Sequence, residues 1–337
     1  MYALLAGLEL MNDIWIAVAV MGLISLACGA LAAGWLYPRA GQQEPLNQEP
    51  RETAPGQGPG EADRGRAGRG RAHGGHAGHT RASGQGIKLC MAVSLLGMFY
   101  FQLYASGQLF WARLIPVSAA IVYSNLSAPL AALAAGWSLR LPQTPVWRRM
   151  LMVVLLGAAC IVALLWPMLS IVLRPAPAGG NNWQQQVAMQ TSWATCSPAA
   201  AATLLRANDI DVSEAEMIPL CLTDGSGTPT LGLYRGIKLV AERHQRSVQV
   251  LDMTLDELLA ADQWPVLLAV KLPHGTEDRR YAEQWGWIPG MGHSVVAFAS
   301  ASEGQIWVGD PSVGLERWSR ADMQVLWHGD GLRLQQH

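Results

Sequence analysis

The sequence predicts a protein in two parts: a multi-pass α-helical membrane region, and then an α+β domain in which a helical lobe packs on an antiparallel sheet. Half of the residues are hydrophobic and 15% are charged. The apolar residues are concentrated before position 175, in runs too long for the core helices of a soluble protein. After position 180 the pattern changes to short amphipathic helices and then to strand-like runs.

Four apolar stretches are each long enough to cross about 30 Å of hydrocarbon as a helix. We predict spans at residues 14–37, 89–111, 114–139 and 150–173. The second stretch contains Gln102 and Gln108, and the third contains Pro116, Asn125 and Pro129. Amides and prolines are unusual in a lipid-facing helix, so these two stretches are the less regular of the four.

The distribution of Lys and Arg predicts the orientation in the membrane. Segment 1–13 has none, the connection 38–88 has eight, the second connection has only Arg113, and 140–149 has three. An N-terminal segment without basic residues favours an uncleaved anchor over a signal peptide. Basic residues are retained on the cytoplasmic side. We therefore predict an integral protein of the bacterial inner or plasma membrane, in contact with the lipid bilayer, with its C-terminal domain on the non-cytoplasmic side.

The connection 38–88 is composed mainly of Gly, Pro, Gln, Arg and Ala, and we predict that it is a disordered linker. His73, His76 and His79 recur within it at three-residue spacing. Three imidazoles could bind a transition metal, but the surrounding residues 64–88 offer no Cys or carboxylate to complete a closed site. We expect a solvated linker, and neither a metal nor an organic cofactor.

Residues 181–337 form the predicted α+β domain. This segment holds 18 acidic and 11 basic residues, a net charge of −7, which argues against a nucleic-acid partner. Pro198 in the first turn predicts a helix that begins at Cys196 and runs to Arg206. Further helices are expected from two capping boxes at 213–216 and 254–257 and from helical spacing at 230–244, with a last helix at 319–327. Strands are expected at 265–271, 293–299, 305–309 and 315–318.

Four residues of this domain are a candidate catalytic set. Cys196 at a helix start would be favoured as a thiolate by the helix dipole. His293 could pair with that thiolate and protonate a leaving amine, while Asp310 could fix the imidazole tautomer. Gln190 could donate its amide N–H, together with the backbone N–H of Cys196, to an oxyanion. A thiol, an imidazole, a carboxylate and an amide donor are the groups needed to cleave an amide bond through a thioester.

Each of these residues also has a simpler interpretation. Most free cysteines are packing residues, and Cys28, Cys90 and Cys160 lie in apolar stretches. Cys196 could instead form a disulfide with Cys221 in an oxidising compartment, which would leave a binding domain with no nucleophile. A disulfide gives no reason for the glutamine, histidine and aspartate, so the catalytic interpretation is preferred.

The order of these motifs resembles the C39 peptidases, the bacteriocin-processing cysteine peptidases, over about residues 184–332. The resemblance implies a papain-like fold in which Cys196 is the nucleophile, His293 the base, Asp310 its orienter and Gln190 the oxyanion donor. The motifs are Gln190 six positions before Cys196, Cys-x-Pro-Ala at 196–199, Gly-x-Gly-Thr at 225–228, His293 before Val295-Val296, Asp310-Pro311 with Gly314, and Met323-x-x-x-Trp327-x-Gly329.

The chain departs from the family pattern in two ways. Ser197 stands where a glycine usually follows the nucleophile, and Thr195 where an acidic residue usually precedes it. The best-known members are N-terminal domains of ATP-driven exporters, whereas this domain is C-terminal and the chain has no Gly-x4-Gly-Lys-Ser/Thr phosphate loop. Specificity for a double-glycine leader is therefore not carried over.

We predict a membrane-anchored cysteine endopeptidase that cleaves a peptide or protein substrate. The alternative is a catalytically silent domain of the same fold that binds peptides for a membrane partner protein. Trp285-Gly-Trp-Ile-Pro-Gly290, just before His293, would form either an aromatic wall of the cleft or part of the core.

Overall fold

The computed structural model describes residues 11–34, 84–300 and 304–336. The predictions for segment 1–10 and for most of the connection 38–88, including His73, His76 and His79, lie outside the described residues. In the described part, an N-terminal helical region is followed by a domain built on an antiparallel sheet.

Four helical stretches of the N-terminal region are long and apolar enough to cross a membrane, by length and composition. The helices of the region are α1 (Asn12–Ala33), α2 (Gly84–Tyr100), which continues as a π-helical turn over Phe101–Ala105, α3 (Phe110–Leu114), α4 (Ala120–Tyr123), α5 (Ser127–Leu139) and α6 (Val146–Leu173).

The first two stretches differ from the predicted bounds. Helix α1 ends at Ala33 because Gly34 adopts a left-handed conformation with φ of 79° and caps it. Helix α2 begins at Gly84, so the last residues of the predicted linker are helical. The second stretch ends at Ala105 and not at residue 111, since Ser106 is extended and Gly107 has φ of 82°.

The third and fourth stretches also differ from simple spans. The predicted start of the third at residue 114 is wrong, because Pro116 cannot continue a helix and the chain becomes helical again only at Ala120. That stretch is interrupted between Tyr123 and Ser127, so it consists of α4 and α5. Helix α6 is continuous, begins directly after Pro145 and contains Pro167.

Helix α5 lies at the centre of the helical region and packs against α1, α2 and α6. Small residues allow this close approach. A Cβ added at Gly136 would lie 2.3 Å from the backbone oxygen of Gly29 in α1, and one added at Gly29 would lie 3.2 Å from the carbonyl oxygen of Ala132. Packing of small residues is the usual way in which helices associate in lipid, where no hydrophobic effect drives them together.

The C-terminal domain contains a helical lobe and a sheet. Its elements are β1 (Trp183–Gln184), β2 (Val187–Ala188), α7 (Cys196–Arg206), α8 (Glu214–Leu220), α9 (Thr230–Arg243), β3 (Arg246–Asp252), α10 (Leu255–Ala261), β4 (Val266–Lys271), α11 (Arg280–Glu283), β5 (Gly292–Ser300), β6 (Gln305–Asp310), β7 (Gly314–Ser319), α12 (Arg320–Leu326) and β8 (Trp327–Gln336). The helices and strands predicted with both bounds are confirmed within two residues at each end, and the two helices predicted only from capping boxes begin at Glu214 and Leu255. Both predicted capping boxes are present, and Ser319 begins a third.

The main sheet has six antiparallel strands in the order β3-β8-β4-β5-β6-β7. Two of them, β3 and β8, were not predicted, and they pair with each other along their length. Alternate residues of β4 and β5 point to two cores. Leu267 and Val296 face the helical lobe, while Leu268 and Val295 face a second core closed by α10, α11 and α12.

The helical region and the domain share contacts at three ion pairs. Asp13, at the start of α1, accepts from the Arg235 side chain of α9 at 2.8 Å, and Arg235 is 0% exposed. Arg113 pairs with Asp252 of β3 at 2.7 Å. Arg174 pairs with Asp224 at 2.8 Å, which makes the residues just after α6 part of the domain. One hydrophobic cluster continues from α1 into the helical lobe.

Candidate active site

Cys196 is the first residue of α7, and the rest of that helix is the most buried element of the domain. Residues 197–205 are all buried, because a run of alanines lets α7 lie close against β5 and α8. Pro198 occupies the first turn, where its missing N–H has no intrahelical partner to lose. The thiol is thus held at the positive end of a rigid helix, where an anion is stabilised.

His293 and Asp310 lie on the adjacent strands β5 and β6. The His293 Nε2 is 2.9 Å from Asp310 Oδ1, and the backbone N–H of Ser312 donates to the same oxygen at 2.7 Å. Because Nε2 is engaged by the carboxylate, Nδ1 is the ring nitrogen that Asp310 leaves available. The His293 ring also packs edge-on against Trp287, with the ring centroids 5.4 Å apart.

Cys196 and His293 line the same cavity, and each changes the pKa of the other. Burial opposes the thiolate, but the hydrogen bond and charge of His293, with a backbone hydrogen bond from Ser294, lower the pKa of Cys196. Burial also opposes the imidazolium, yet hydrogen bonds to Asp310 and Cys196 raise the pKa of His293 to about 10. The pKa of Asp310 is lowered by the same pair despite burial. These directions favour a thiolate–imidazolium pair at neutral pH.

Gln190 lies in the loop between β2 and α7. Its backbone N–H donates to the carbonyl oxygen of Pro311 at 2.9 Å, which ties this loop to the turn that carries Asp310. The side-chain Oε1 is buried and accepts no hydrogen bond from the described residues. The unsatisfied atom is an acceptor and not a donor, and Gln190 is not among the residues that line the cavity at Cys196. Its role as an oxyanion donor therefore stays a prediction.

Glu214 fixes the same loop from the other side, a role that the sequence did not suggest. Its buried carboxylate accepts from the backbone N–H groups of Thr191 and Gly180, both at 2.8 Å. Because Glu214 accepts hydrogen bonds from two backbone N–H groups, it restricts the position of Thr191, the residue that follows Gln190. The only sequence signal was the position of Glu214 in the first turn of a helix opened by a capping box.

Ser197, where the family pattern has glycine, makes a contact that a glycine could not. Its Oγ lies 2.9 Å from Ser294 Oγ in a buried hydrogen bond, and it also approaches Cys196 Sγ at 3.9 Å. This bond joins the start of α7 to the residue after His293. The departure from the family pattern therefore adds a link between the elements that hold the thiol and the imidazole.

The five cysteines are all free thiols, so the Cys196–Cys221 disulfide considered from the sequence is not formed. Cys221 is fully buried at the end of α8, packed against Gly232 and Gly236 of α9. Burial raises the pKa of Cys221 to about 12. Cys221 is therefore a packing residue, in contrast to Cys196.

A cavity of about 780 Å³ opens at Cys196 and His293. The sequence did not predict that the spans line it, on the side opposite β4 and β5. The aromatic residues on it are Trp166 of α6 and Trp193 of the loop before α7, and not Trp285 or Trp287. Of the two readings of the Trp285–Gly290 segment, the core reading holds for Trp287, which packs between His293 and Trp318.

In the described part of the chain, no group of three or more His, Cys, Asp or Glu side chains is arranged to hold a metal ion. The groups gathered at Cys196 are those of covalent catalysis by a thiol.

No protein-family model matches the chain, and no curated protein matches it in sequence. Among solved structures, the peptidase domain of Streptococcus ComA, a bi-functional ABC transporter involved in quorum sensing, is similar with 19% identity and a TM-score of 0.36, over 46% of this chain and 100% of that one. A double glycine motif protease from an AMS/PCAT transporter, solved in complex with the leader peptide, has 15% identity and a TM-score of 0.35, over 49% and 99%.

The peptidase domain of Streptococcus mutans ComA has 21% identity and a TM-score of 0.31, over 44% of this chain and 98% of that one. These values are too low to support a functional conclusion, which has to come from the geometry of the site.

Proposed function

We propose that this protein is a membrane-anchored cysteine peptidase that hydrolyses a peptide bond through Cys196, His293 and Asp310, with Gln190 as oxyanion donor. The observation that carries the proposal is a helix-start thiol on the same cavity as an imidazole whose Nε2 is 2.9 Å from a buried carboxylate, with the thiol and the imidazole each shifting the pKa of the other. A merely structural cysteine would have no use for a partner held in this way.

In the first half of the reaction, the Cys196 thiolate attacks the carbonyl carbon of the substrate. The oxyanion that forms accepts hydrogen bonds from the Gln190 amide and from the backbone N–H of Cys196, which lies in the first turn of α7 where no earlier turn can use it. The His293 imidazolium then donates its Nδ1 proton to the leaving amine as the C–N bond breaks. The products are a thioester on Cys196 and a free amine.

In the second half, the neutral imidazole accepts a proton from a water molecule that attacks the thioester. Collapse of the second tetrahedral intermediate releases the carboxylic acid product and the Cys196 thiolate, and His293 is again an imidazolium. Asp310 keeps the ring oriented through both steps and stabilises its positive charge. The spans hold the domain at the membrane, which is the expected location of the substrate.

The proposal predicts that Cys196 reacts rapidly with iodoacetamide at pH 6 and that His293→Ala slows this reaction by about tenfold or more. Loss of the imidazolium raises the pKa of the thiol, and each unit lowers the thiolate fraction about tenfold. Alkylation is measured by mass spectrometry of the Cys196 peptide in the purified full chain. His328→Ala is the matched control, because His328 lines the same cavity without contacting Cys196.

Equal rates in the wild type and in His293→Ala would contradict an activated thiol. Turnover is tested separately, by comparing the peptides that accumulate in cells with the native chain and with Cys196→Ala. A protein with a reactive thiol but identical peptide patterns in the two strains would be a binding domain and not a peptidase.

A further inference from the structure

We propose that the membrane spans form one wall of the substrate cleft and that this wall selects substrates with an uncharged, extended segment beside the scissile bond. This inference rests on the proposed function and adds the class of substrate. It follows from what the spans place in the cavity that holds Cys196.

The cavity is bounded by the domain on one side and by the spans on the other. Its span side includes the polar residues Gln102, Ser106, Asn125 and Ser170. Polar side chains within apolar helices are costly in a membrane, and they usually line a site or pathway. Here the amides lie on the same cavity as the candidate nucleophile.

The polar groups on this wall form a network that still has donors to offer. Ser127 Oγ donates to Gln102 Oε1 at 3.0 Å and also contacts Asn125 Oδ1, and Asn125 donates to the carbonyl oxygen of Ala163 at 2.6 Å. The Gln102 amide nitrogen donates to no described residue. Ser106 Oγ is buried on the same wall and has no partner in the described part of the chain. Such groups can bind the backbone of an extended peptide, which cannot satisfy its own hydrogen bonds.

Two of the four spanning stretches lose regular helical geometry beside this cavity, and another carries a proline there. The second becomes π-helical at Phe101–Ala105, the third is broken at Asn125, and α6 contains Pro167. Irregular backbone at membrane depth is tolerated where it is buried or lines a cavity, and π-helical turns are frequent at functional sites. The coincidence of two irregular segments and a proline at one cavity supports a site at this position.

The lack of an unpaired charge on this wall determines which substrate side chains it accepts. Among its span residues that line the cavity only Arg174 is charged, and it is neutralised by Asp224. A charged substrate side chain that faces the amides, hydroxyls and Trp166 would lose its hydration and find no free counter-ion on this wall, because Lys271 and Asp330, which also line the cavity, belong to the domain. The wall therefore accepts small, polar or apolar side chains and excludes Lys, Arg, Asp and Glu.

The first test asks whether Gln102 shares the cleft with Cys196, and it needs no turnover. Cys196 in the full chain is modified by methanethiosulfonates of one size that carry a positive or a negative charge, and its peptide is quantified by mass spectrometry. Gln102→Glu keeps the acceptor for Ser127 and adds a charge. We expect the ratio of cationic to anionic reagent rates to rise about fivefold in this variant. Gln108→Glu, on the same stretch but away from the cavity, is the control and should leave the ratio unchanged.

The second test asks for the substrate class. The reconstituted full chain is incubated with a peptide library, and the residues on both sides of each cut bond are read by mass spectrometry. We expect the wild type to exclude charged residues at two or more positions on one side, and Gln102→Glu to admit Lys and Arg there. Gln108→Glu should behave as the wild type.

An unchanged reagent ratio in Gln102→Glu would overturn the proposed wall, whatever the protein catalyses. A changed ratio with no cleavage by the wild type would keep the wall and reject the peptidase. Cleavage in which charged residues are accepted equally on both sides of the cut bond would support the peptidase activity and contradict the proposed selection by the wall.

Discussion

At the scale of single residues, His293 is the group on which the chemistry depends, because three neighbours determine its state. Asp310 engages Nε2, Cys196 and Asp310 together raise the pKa of the ring, and Trp287 packs against the ring in a T-shaped arrangement. Burial alone would make this imidazole neutral, and the two partners reverse that tendency. The thiolate–imidazolium pair therefore persists from the lowered pKa of Cys196 up to a pH of about 10.

Asp310→Asn is predicted to move the alkaline limit of this pair to lower pH. The imidazolium is lost as pH rises through the pKa of His293, and removing the carboxylate charge lowers that pKa by at least about one pH unit. The titration is followed by NMR of histidine-labelled full chain in micelles. Asp330→Asn removes a carboxylate that lines the same cavity and serves as the control. An unchanged midpoint in Asp310→Asn would show that the carboxylate does not set the charge of the ring.

The candidate catalytic residues could be chosen from the sequence because their types and order are distinctive. The residues that hold them in position could not. Glu214 and Ser294 contact the site through partners 23 and 97 residues away in the chain. No local pattern records such a pairing. The aromatic residues that line the cavity could not be identified for the same reason, since Trp193 is isolated in sequence whereas Trp285 and Trp287 stand next to the histidine.

At the scale of elements, short-range signals predicted the helices of the domain well. Capping boxes, a proline in the first turn and an alanine run all act within one or two turns, so they are visible in sequence. Strands β3 and β8 were missed because β8 contains Gly329, Asp330 and Gly331 and follows a helix without a turn. The residues of these strands have a low intrinsic preference for strand conformation, and pairing between the strands stabilises them instead.

Helices α8 and α9 meet so closely that Gly236→Ala is predicted to destabilise the protein by about 1–3 kcal/mol. The new Cβ would lie 2.3 Å from Cys221 Sγ, where a fully buried thiol cannot move aside. The measurement is thermal unfolding of the full chain in detergent. Gly157→Ala in α6, with nothing within 4 Å of its Cβ, is the control and should not be destabilised.

Cys221→Ala should recover much of the loss when combined with Gly236→Ala, because it removes the clashing sulfur. A stable Gly236→Ala protein would mean that the two helices can separate, and that Cys221 does not fix their spacing.

At the scale of the whole molecule, the ion pairs agree with an even number of crossings. Asp13 before the first span and Arg113 between the second and third both contact the domain, which follows the fourth. Gly34 lies beside Arg140 at the other end of the spans, with a built Cβ 3.3 Å from the guanidinium carbon. The ends of the four spanning stretches therefore fall into two groups, one at the domain end of the helical region and one at its opposite end.

We propose that the domain side is non-cytoplasmic, because the opposite side carries the basic connections. Protease added outside intact spheroplasts should then degrade the domain and spare the connection between the first two spans. Degradation only in inverted vesicles would place the domain in the cytoplasm.

Asp13→Asn is predicted to destabilise the full chain by about 3 kcal/mol, because it removes a charge that compensates a fully buried guanidinium. Thermal unfolding in detergent measures the change. Glu283→Gln, which removes the partner of the exposed Arg279, is the control and should cost less than about 0.5 kcal/mol. If both variants unfold at the same temperature, the first span does not stabilise the domain.

The Asp13 pair has a practical consequence for anyone who wishes to purify this protein. A recombinant fragment that starts at residue 181 would keep the interior guanidinium of Arg235 and its hydrogen bond to the carbonyl oxygen of Leu220, but it would lose the carboxylate of Asp13. Loss of this ion pair is expected to destabilise the fragment. Low solubility or weak turnover of an excised domain would then reflect the missing anchor, and would say nothing against the chemistry of Cys196.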